Sequence, residues 1–215
     1  MAAIGIMGGT FNPIHVGHIE IAKAAFSQYR LDEIWFMPNH IPGYKSNSGL
    51  VSGEDRFEMT KLAIFGIPYF KVSDYELKRS GNTYTAETLA LLNKEYPKDR
   101  FYFIMGADSL NYFQQWKNPE MIIKYATILT APRDELSVSE VEAKIREFNT
   151  IYPGNSFHLI QCKNIPCSSS SIRHKLLKIY QDNRINRMDH LEKTAADLCL
   201  PVSVYEYIIK HNLYN

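Results

Sequence analysis

Two histidines near the amino terminus are the residues best placed to do chemistry. His15 and His18 stand three positions apart, shortly after the glycine pair Gly8-Gly9. Residues at this spacing share one face of a helix, where imidazole N–H groups can hold phosphate oxygens while charge shifts during a reaction. A helix-capping pair without chemistry is the alternative. The glycines and histidines together favour a site that handles phosphates.

The residues around the histidines predict a strand, a turn and a helix. The apolar run 2–7 predicts a buried strand, after which the two glycines turn the chain. Asn12 suits the N-cap of a helix and Pro13 its first position, and apolar residues then recur at helical spacing. A glycine turn lets a phosphate approach the backbone, and a helix start supplies free N–H groups. We therefore expect an anion-binding turn that leads into a helix.

Strand and helix patterns alternate along the rest of the chain. Further strands are predicted at residues 32–37, 70–73, 100–105, 127–130 and 157–161. This alternation predicts an α/β fold, a Rossmann-like doubly wound parallel sheet with a small helical C-terminal part. We expect residues 1–180 to form the Rossmann-like domain and residues 181–215 a helical extension of it. Ligands in such sheets bind beyond the carboxyl ends of the strands, where the histidines lie.

The composition excludes several classes of protein. A net charge of +1 over 215 residues gives no basic field for nucleic acid. No apolar run reaches about 18 residues and no basic region precedes the first one, so we expect neither a membrane span nor a signal peptide. The three cysteines predict core thiols rather than a disulfide framework or zinc site, because C-x-x-C spacing is absent. These features favour a cytoplasmic protein.

The stretch Gly8-Gly9-Thr10-Phe11-Asn12-Pro13 with His15-x-Gly17-His18 resembles the signature of the HxGH nucleotidyltransferase superfamily. Within it, the chain is most similar to the bacterial nicotinate-nucleotide adenylyltransferases, and five motifs in the same order carry the resemblance. The family usually has Asp where this chain has Asn12. The resemblance implies an enzyme of NAD biosynthesis that converts nicotinate mononucleotide and ATP to nicotinate adenine dinucleotide and pyrophosphate.

The resemblance also implies a role for each motif residue. Catalysis would depend on His15, His18, Lys45 and Arg173. ATP would bind at Gly8, Gly9, Thr10, Phe11, His18, Gly106, Asp108, Ser168, Ser169, Ser170 and Arg173. The mononucleotide would bind at Gly9, Thr10, Lys45, Thr83, Tyr84, Thr85 and Trp116. The family has a histidine before the lysine, where this chain has Tyr44, so only the lysine receives a role.

Residue chemistry is compatible with these roles, although each residue also has a plainer interpretation. Asp108 follows the strongest core strand and could accept hydrogen bonds from ribose hydroxyls or simply cap a helix. Trp116 has polar neighbours, which favours a partly exposed ring that stacks on a pyridine over a core tryptophan. The serine run with Arg173 forms an anion pocket at a helix start, whereas a flexible linker would lack the helical pattern that follows. Lys45 could neutralise phosphate charge or be a solvated surface lysine.

The expected cofactor is Mg²⁺ bound with ATP, held largely by substrate oxygens rather than by a metal site of the protein. The expected partners are ATP and nicotinate mononucleotide, and neither nucleic acid nor a membrane. Alternative functions are a related transferase with a phosphopantetheine or cytidyl substrate, a class I aminoacyl-tRNA synthetase, and a nucleotide sensor without catalysis. The choice between nicotinate and nicotinamide mononucleotide stays open, as does the oligomeric state, with a homodimer as one option.

Overall fold

The computed structural model describes the chain apart from residues 41–48, 133–136, 153, 155, 164 and 183–189. Its strands are β1 (Ala3–Gly9), β2 (Glu33–Pro38), β3 (Phe70–Val72), β4 (Arg100–Gly106), β5 (Ala126–Ala131) and β6 (Phe157–Leu159). Its helices are α1 (Val16–Gln28), α2 (Gly53–Ile64), α3 (Thr85–Glu95), α4 (Ala107–Leu110), α5 (Pro119–Tyr125), α6 (Val138–Ile151), α7 (Ser169–Gln181), α8 (Leu191–Asp197) and α9 (Val202–Lys210). A 3₁₀ helix spans Phe113–Gln115. Strands and helices alternate as the sequence predicts.

The strands of the described residues form one sheet with the order β3-β2-β1-β4-β5-β6, and every neighbouring pair is parallel. β1 lies in the middle, with β2 on one side and β4 on the other. The direction of winding therefore reverses between β1 and β4, which is the switch point where such sheets bind ligands. The predicted Rossmann-like α/β fold is confirmed.

Helices cover both faces of the sheet because the central strands are apolar on both sides. Ala3 and Met7 of β1 enter one hydrophobic core, which they share with residues of α1, α2, α7 and α9. Ile4 and Ile6 point the other way, into a second core with residues of α3 to α6. This alternation follows from the two-residue period of a strand.

The C-terminal helix α9 packs on the first core. Tyr205 and Ile208 are fully buried in it. The hydroxyl of Tyr207 donates to Asp55 Oδ1 of α2 at 3.0 Å. These contacts attach the end of the chain to the helix that follows β2. In the described ranges, no helix is both long enough and apolar enough to cross a membrane.

Two of the three cysteines are paired, so the prediction of three core thiols is wrong. Cys167 and Cys199 form a disulfide whose Cα atoms are 6.3 Å apart, while Cys162 is a free, half-buried thiol. The paired cysteines lie before α7 and between α8 and α9, 32 residues apart in sequence. Spacing did not reveal the pair, because only the fold brings these two turns within disulfide range.

Candidate active site

The turn between β1 and α1 is longer than the sequence predicts. β1 continues through Gly9, and α1 begins only at Val16 with His15 as its N-cap. The Asn12-Pro13 peptide bond in between is cis. The prediction that these two residues begin the helix is therefore wrong.

Asn12 uses its side chain for tertiary contacts instead of capping the helix. Its Nδ2 donates to the carbonyl of Gly49 at 2.9 Å. Its Oδ1 accepts from the Val51 amide at 3.3 Å and from the Tyr214 hydroxyl at 2.9 Å. An ionised aspartate has no donor for the Gly49 carbonyl, so the amide makes a bond here that a carboxylate could not make. Asn12 thus links the turn to the chain before α2 and to the C-terminal residues.

The glycine pair leaves the carboxyl end of β1 open. A Cβ atom on Gly8 would lie 3.3 Å from the Phe103 ring, and one on Gly9 would lie 3.0 Å from the Phe11 ring. Phe11 itself is buried and adopts a left-handed conformation with φ 47°. Gly8 is exposed, whereas Gly9 and Thr10 are half-buried. The backbone is therefore accessible to a ligand at this turn.

The two histidine rings pack against each other at the start of α1, with centroids 3.8 Å apart. The His15 backbone N–H donates to His18 Nδ1 at 3.3 Å. Because Nδ1 accepts this bond, neutral His18 carries its ring proton on Nε2, which becomes a donor. His15 is only 1% exposed, whereas His18 is half-buried. His18 is therefore the histidine better placed to reach a ligand.

Gly17 allows the His15 ring to lie close to the helix. A Cβ atom at this position would be 3.0 Å from both Cε1 and Nδ1 of His15, which is tighter than nine in ten real Cβ contacts. The side chain of His15 would have to move to accept it. The presence of glycine between the two histidines is therefore explained by the space that the His15 ring occupies.

The serine-rich turn before α7 lies directly against the turn after β1. Ser169 Oγ donates to the Pro13 carbonyl at 2.8 Å. Arg173 Nη1 donates to the Asn12 carbonyl at 2.7 Å. Ser168 is the N-cap of α7, as predicted. These bonds join residues 156 and 161 positions apart, and they bring two predicted phosphate-binding motifs together.

A small pocket lies beside the histidine motif. His15, Gly17 and His18 line it together with Ile165 and Cys167 from the chain before α7. Ser170 is exposed in the first turn of α7. Its hydroxyl is thus accessible from solvent.

Residues 83–85, the first predicted mononucleotide contacts, stand at the start of α3, with Tyr84 as its N-cap. Lys117 lies over the Tyr84 ring with Nζ 4.1 Å from the centroid. Its Nζ also donates to Glu87 Oε1 at 2.8 Å. The structure thereby places the segment that carries Trp116 against the start of α3.

Trp116 has a half-buried ring, so the prediction of partial exposure is confirmed. The ring lies edge-on to Phe103 at 6.0 Å between centroids and tilted to Phe113 at 5.7 Å. Phe103 is also the ring nearest to the Cβ position of Gly8. Trp116 is therefore held near the end of β1 by aromatic contacts and keeps some of its surface free for stacking.

Gly106 is the last residue of β4 and the N-cap of α4. Asp108 is exposed in the first turn of that short helix. Since β4 is the direct neighbour of β1, both residues lie at the same edge of the sheet as the glycine pair. Lys45 falls in 41–48, outside the described residues.

Sequence reasoning missed Arg56, which is 1% exposed in α2 and donates to the carbonyl of Thr10 at 2.9 Å. An arginine in the first turns of a helix ordinarily reads as a solvated surface residue. Neither the spacing nor the neighbours of Arg56 in the sequence indicate that it is buried. Only the fold shows that it lies beneath the candidate site.

Solved structures with a similar fold include two complexes of one adenylyltransferase. The chain matches the Plasmodium falciparum nicotinic acid mononucleotide adenylyltransferase complexed with NaAD, with a TM-score of 0.74 and 23% identity over 100% of this chain and 98% of that one. The same protein complexed with APC gives a TM-score of 0.72 and 21% identity over the same shares. At this identity the likeness concerns the fold.

Sequence comparisons identify the family. The cytidylyltransferase-like family model matches residues 6–175. A relative from Bacillus cytotoxicus, named "probable nicotinate-nucleotide adenylyltransferase", is 43% identical over 100% of this chain and 99% of its own. A relative of the same name from Lachnoclostridium phytofermentans is 41% identical over the whole of both chains. With the histidine and serine motifs assembled at the switch point, the chain therefore belongs to the cytidylyltransferase-like family and, within it, to the nicotinate-nucleotide adenylyltransferases.

Proposed function

We propose that the chain transfers the adenylyl group of ATP to nicotinate mononucleotide and releases pyrophosphate, forming nicotinate adenine dinucleotide for NAD biosynthesis. The observation that carries the proposal is the direct contact of the serine-rich turn with the turn after β1, through Ser169 and Arg173. We propose that this contact brings N–H groups, hydroxyls and a guanidinium to the same side of the sheet edge as the histidine motif. Such donors suit a chain of phosphates.

The proposed reaction begins when a phosphate oxygen of the mononucleotide attacks the α-phosphorus of ATP in line. The bond from the α-phosphorus to the bridging oxygen breaks, and pyrophosphate leaves with the electron pair. Because the nucleophile is already anionic, the reaction needs no strong general base. Positioning of the two substrates and neutralisation of charge therefore provide the rate.

The donors around the turn after β1 have distinct proposed roles. Nε2–H of His18, supported by His15, stabilises the charge that develops around the α- and β-phosphates. Ser169 and Arg173 hold the leaving pyrophosphate, together with Lys45. The remaining proposed ATP contacts are Gly8, Gly9, Thr10, Phe11, Gly106, Asp108, Ser168 and Ser170. Asp108 would accept hydrogen bonds from the ribose hydroxyls of ATP.

Mg²⁺ is the proposed metal ion, and it enters with ATP. The donors beside the phosphate turn are imidazole N–H, hydroxyl and guanidinium groups, which suit phosphate oxygens rather than a hard cation. Across the described residues, no group of three His, Cys, Asp or Glu side chains could hold a metal ion. We propose that substrate oxygens and water coordinate the ion, whose chemistry would be to neutralise phosphate charge.

The proposed mononucleotide site lies between the start of α3 and Trp116. The backbone of residues 83–85 would contact the nucleotide, and Gly9, Thr10 and Lys45 would face its phosphate. The exposed part of the Trp116 ring would stack on the pyridine. We further propose that residues 1–180 form the nucleotidyltransferase domain and that residues 181–215 extend it. We also propose that the protein is cytoplasmic because ATP is available there; the Cys167–Cys199 disulfide removes the cysteine argument for this compartment.

Replacement of Trp116 by alanine is expected to raise the KM for nicotinate mononucleotide roughly three- to tenfold, because an aromatic stack contributes about 0.5–1.5 kcal/mol. The KM for ATP should stay near its original value. Steady-state kinetics with each substrate varied in turn will measure both constants. Trp35→Phe, which changes the tryptophan of β2, is the control and should leave both constants unchanged. A Trp116→Ala enzyme with an unaltered KM for the mononucleotide would exclude the stack.

Replacement of Gly17 by alanine is expected to lower kcat about tenfold while the protein stays folded. The added Cβ displaces the His15 ring and, through the ring contact, His18, and small misplacements of catalytic groups are costly. Alanine is itself favourable in a helix, so α1 should persist. Turnover assays with circular dichroism will separate the two effects, and an unchanged kcat would show that the ring position is unimportant.

The proposed function is tested by incubating the purified chain with ATP, Mg²⁺ and nicotinate mononucleotide. Chromatography should detect nicotinate adenine dinucleotide, and a coupled assay should detect one pyrophosphate per product. Nicotinamide mononucleotide, assayed in parallel, decides the preference for acid or amide. Binding of ATP without turnover on either mononucleotide would contradict the proposal and favour a nucleotide sensor.

A further inference from the structure

We infer that Arg56 is a positioning residue, whose guanidinium holds the turn after β1 against the end of β2 and the start of α2. The inference deepens the proposed function and rests on it, because the turn is where the substrates are proposed to react. Arg56 lies beneath this turn and is not proposed to touch a substrate. Its role is to set the position of groups that do.

The guanidinium of Arg56 uses all three of its nitrogens. Nη1 donates to the Thr10 carbonyl at 2.9 Å and to Asn39 Oδ1 at 3.4 Å. Nη2 donates to the His40 carbonyl at 3.0 Å, and Nε donates to the Val51 carbonyl at 3.3 Å. These acceptors belong to three separate segments of chain. One buried side chain therefore fixes their relative positions.

The contact with the Thr10 carbonyl has a consequence for the next backbone amide. In a trans peptide the C=O and the following N–H point in opposite directions. Because Arg56 draws the Thr10 carbonyl toward itself, the Phe11 N–H points away from it. This N–H belongs to the backbone that we propose binds ATP. Arg56 thus orients a donor that it does not contact.

In the described part of the chain, the charged Arg56 side chain donates hydrogen bonds only to neutral groups. Its acceptors are three backbone carbonyls and one amide oxygen. Among the ion pairs of the described residues, none includes this side chain. A buried cation without an opposite charge is costly, so a role in stability alone explains it poorly. Substrate phosphates bound at the turn above would provide the negative charge.

A comparison of arginine with lysine at position 56 separates the effect of side-chain geometry from the effect of charge. The guanidinium is a rigid planar fork with five donors, whereas the lysine ammonium is a single point with three. Lysine at position 56 keeps the positive charge but cannot span the Thr10, His40 and Val51 carbonyls. A positioning role therefore predicts that lysine does not replace arginine.

The first test compares Arg56→Lys with wild type and with Met59→Ala. Met59 lies in the same helix, is fully buried and belongs to the core rather than to the proposed site, so its replacement is a matched control for lost stability. We expect Arg56→Lys to lower kcat at least tenfold and to change the KM for ATP less than about threefold, because misplaced groups chiefly affect the transition state. Met59→Ala should lower the melting temperature yet keep kcat.

Two outcomes of this comparison would overturn the inference. One is an Arg56→Lys enzyme that keeps more than half of the wild-type kcat. The other is a loss of kcat in Met59→Ala as large as in Arg56→Lys at the same fall in melting temperature, which would reduce the effect to stability. A wild-type chain without adenylyl transfer would instead defeat the proposed function, so the two failures are distinguishable.

The second test is chemical rescue of Arg56→Ala. Guanidinium chloride at low millimolar concentration should raise the kcat of this variant at least fivefold by refilling the space beneath Thr10, whereas methylammonium chloride should not. Both ions carry one positive charge, but only guanidinium has the planar fork. No activation by guanidinium, or equal activation by both ions, would contradict a positioning role. Thermal melts identify which of the Arg56→Lys and Arg56→Ala variants fold. Either folded variant is sufficient to test the positioning role of Arg56.

Discussion

Replacement of His18 by alanine is expected to lower kcat on the order of 10²- to 10³-fold, with the fold intact. The half-buried ring accepts the His15 amide at Nδ1, which leaves Nε2–H as a donor. A preorganised donor of this kind acts where charge develops in the transition state, so its loss should affect kcat more than KM. Single-turnover and steady-state assays of adenylyl transfer will measure the effect.

Two further variants sharpen the test of His18. Glutamine can place an amide N–H near the former Nε2 position, so His18→Gln should be more active than His18→Ala. His211→Ala is the control, because this exposed histidine stacks on Tyr207 of the C-terminal helix. It should leave kcat unchanged. Turnover near the wild-type value in a folded His18→Ala enzyme would remove His18 from the catalytic machinery.

Replacement of Arg173 by alanine is expected to lower kcat/KM for ATP about 10²-fold. The variant loses a charged donor that holds the Asn12 carbonyl at 2.7 Å, and it loses the guanidinium proposed to face the leaving pyrophosphate. A hydrogen bond from a charged donor contributes about 1.5–3 kcal/mol, and about 1.4 kcal/mol corresponds to a factor of ten. Initial rates at low ATP concentration will give the constant.

Two control variants separate the effect of the Arg173 guanidinium from the effect of positive charge on helix α7. Arg173→Lys should be intermediate, because lysine keeps the charge but lacks the planar guanidinium with its five donors. Lys178→Ala removes one positive charge from an exposed position on the same helix α7 and should have little effect. Equal losses in Arg173→Ala and Lys178→Ala would mean that α7 contributes only a general positive field.

Local signals in the sequence were sufficient for the strands and the fold class. Apolar runs predicted all six strands to within a few residues, because burial on both faces of a parallel sheet leaves such a pattern. The serine run that contains Ser168 was recognisable as a helix start, since this cap acts on an amide within its own first turn. Strand-helix alternation then implied the parallel sheet. These features depend on neighbours close in sequence, which a single chain displays directly.

The structure was needed wherever a residue acts across the fold. Asn12 has the sequence context of a helix cap, yet its amide is used by Gly49, Val51 and Tyr214. Arg56 has the context of a surface residue, yet it is buried beneath Thr10. Local propensity is worth a few tenths of a kcal/mol to about 1 kcal/mol, whereas buried polar contacts cost more than that when unmade, so the tertiary partners prevail.

The Cys167–Cys199 disulfide and the hydrogen bond from Ser169 to Pro13 form only because the fold places distant turns side by side. The sequence alone determined that the glycine, histidine and serine motifs follow strands of a parallel sheet and so lie at one edge of it. It did not determine which turns touch or which buried side chain supports them. Those contacts join segments more than a hundred residues apart in the case of Ser169, and only the packing of the completed sheet brings them within bonding distance.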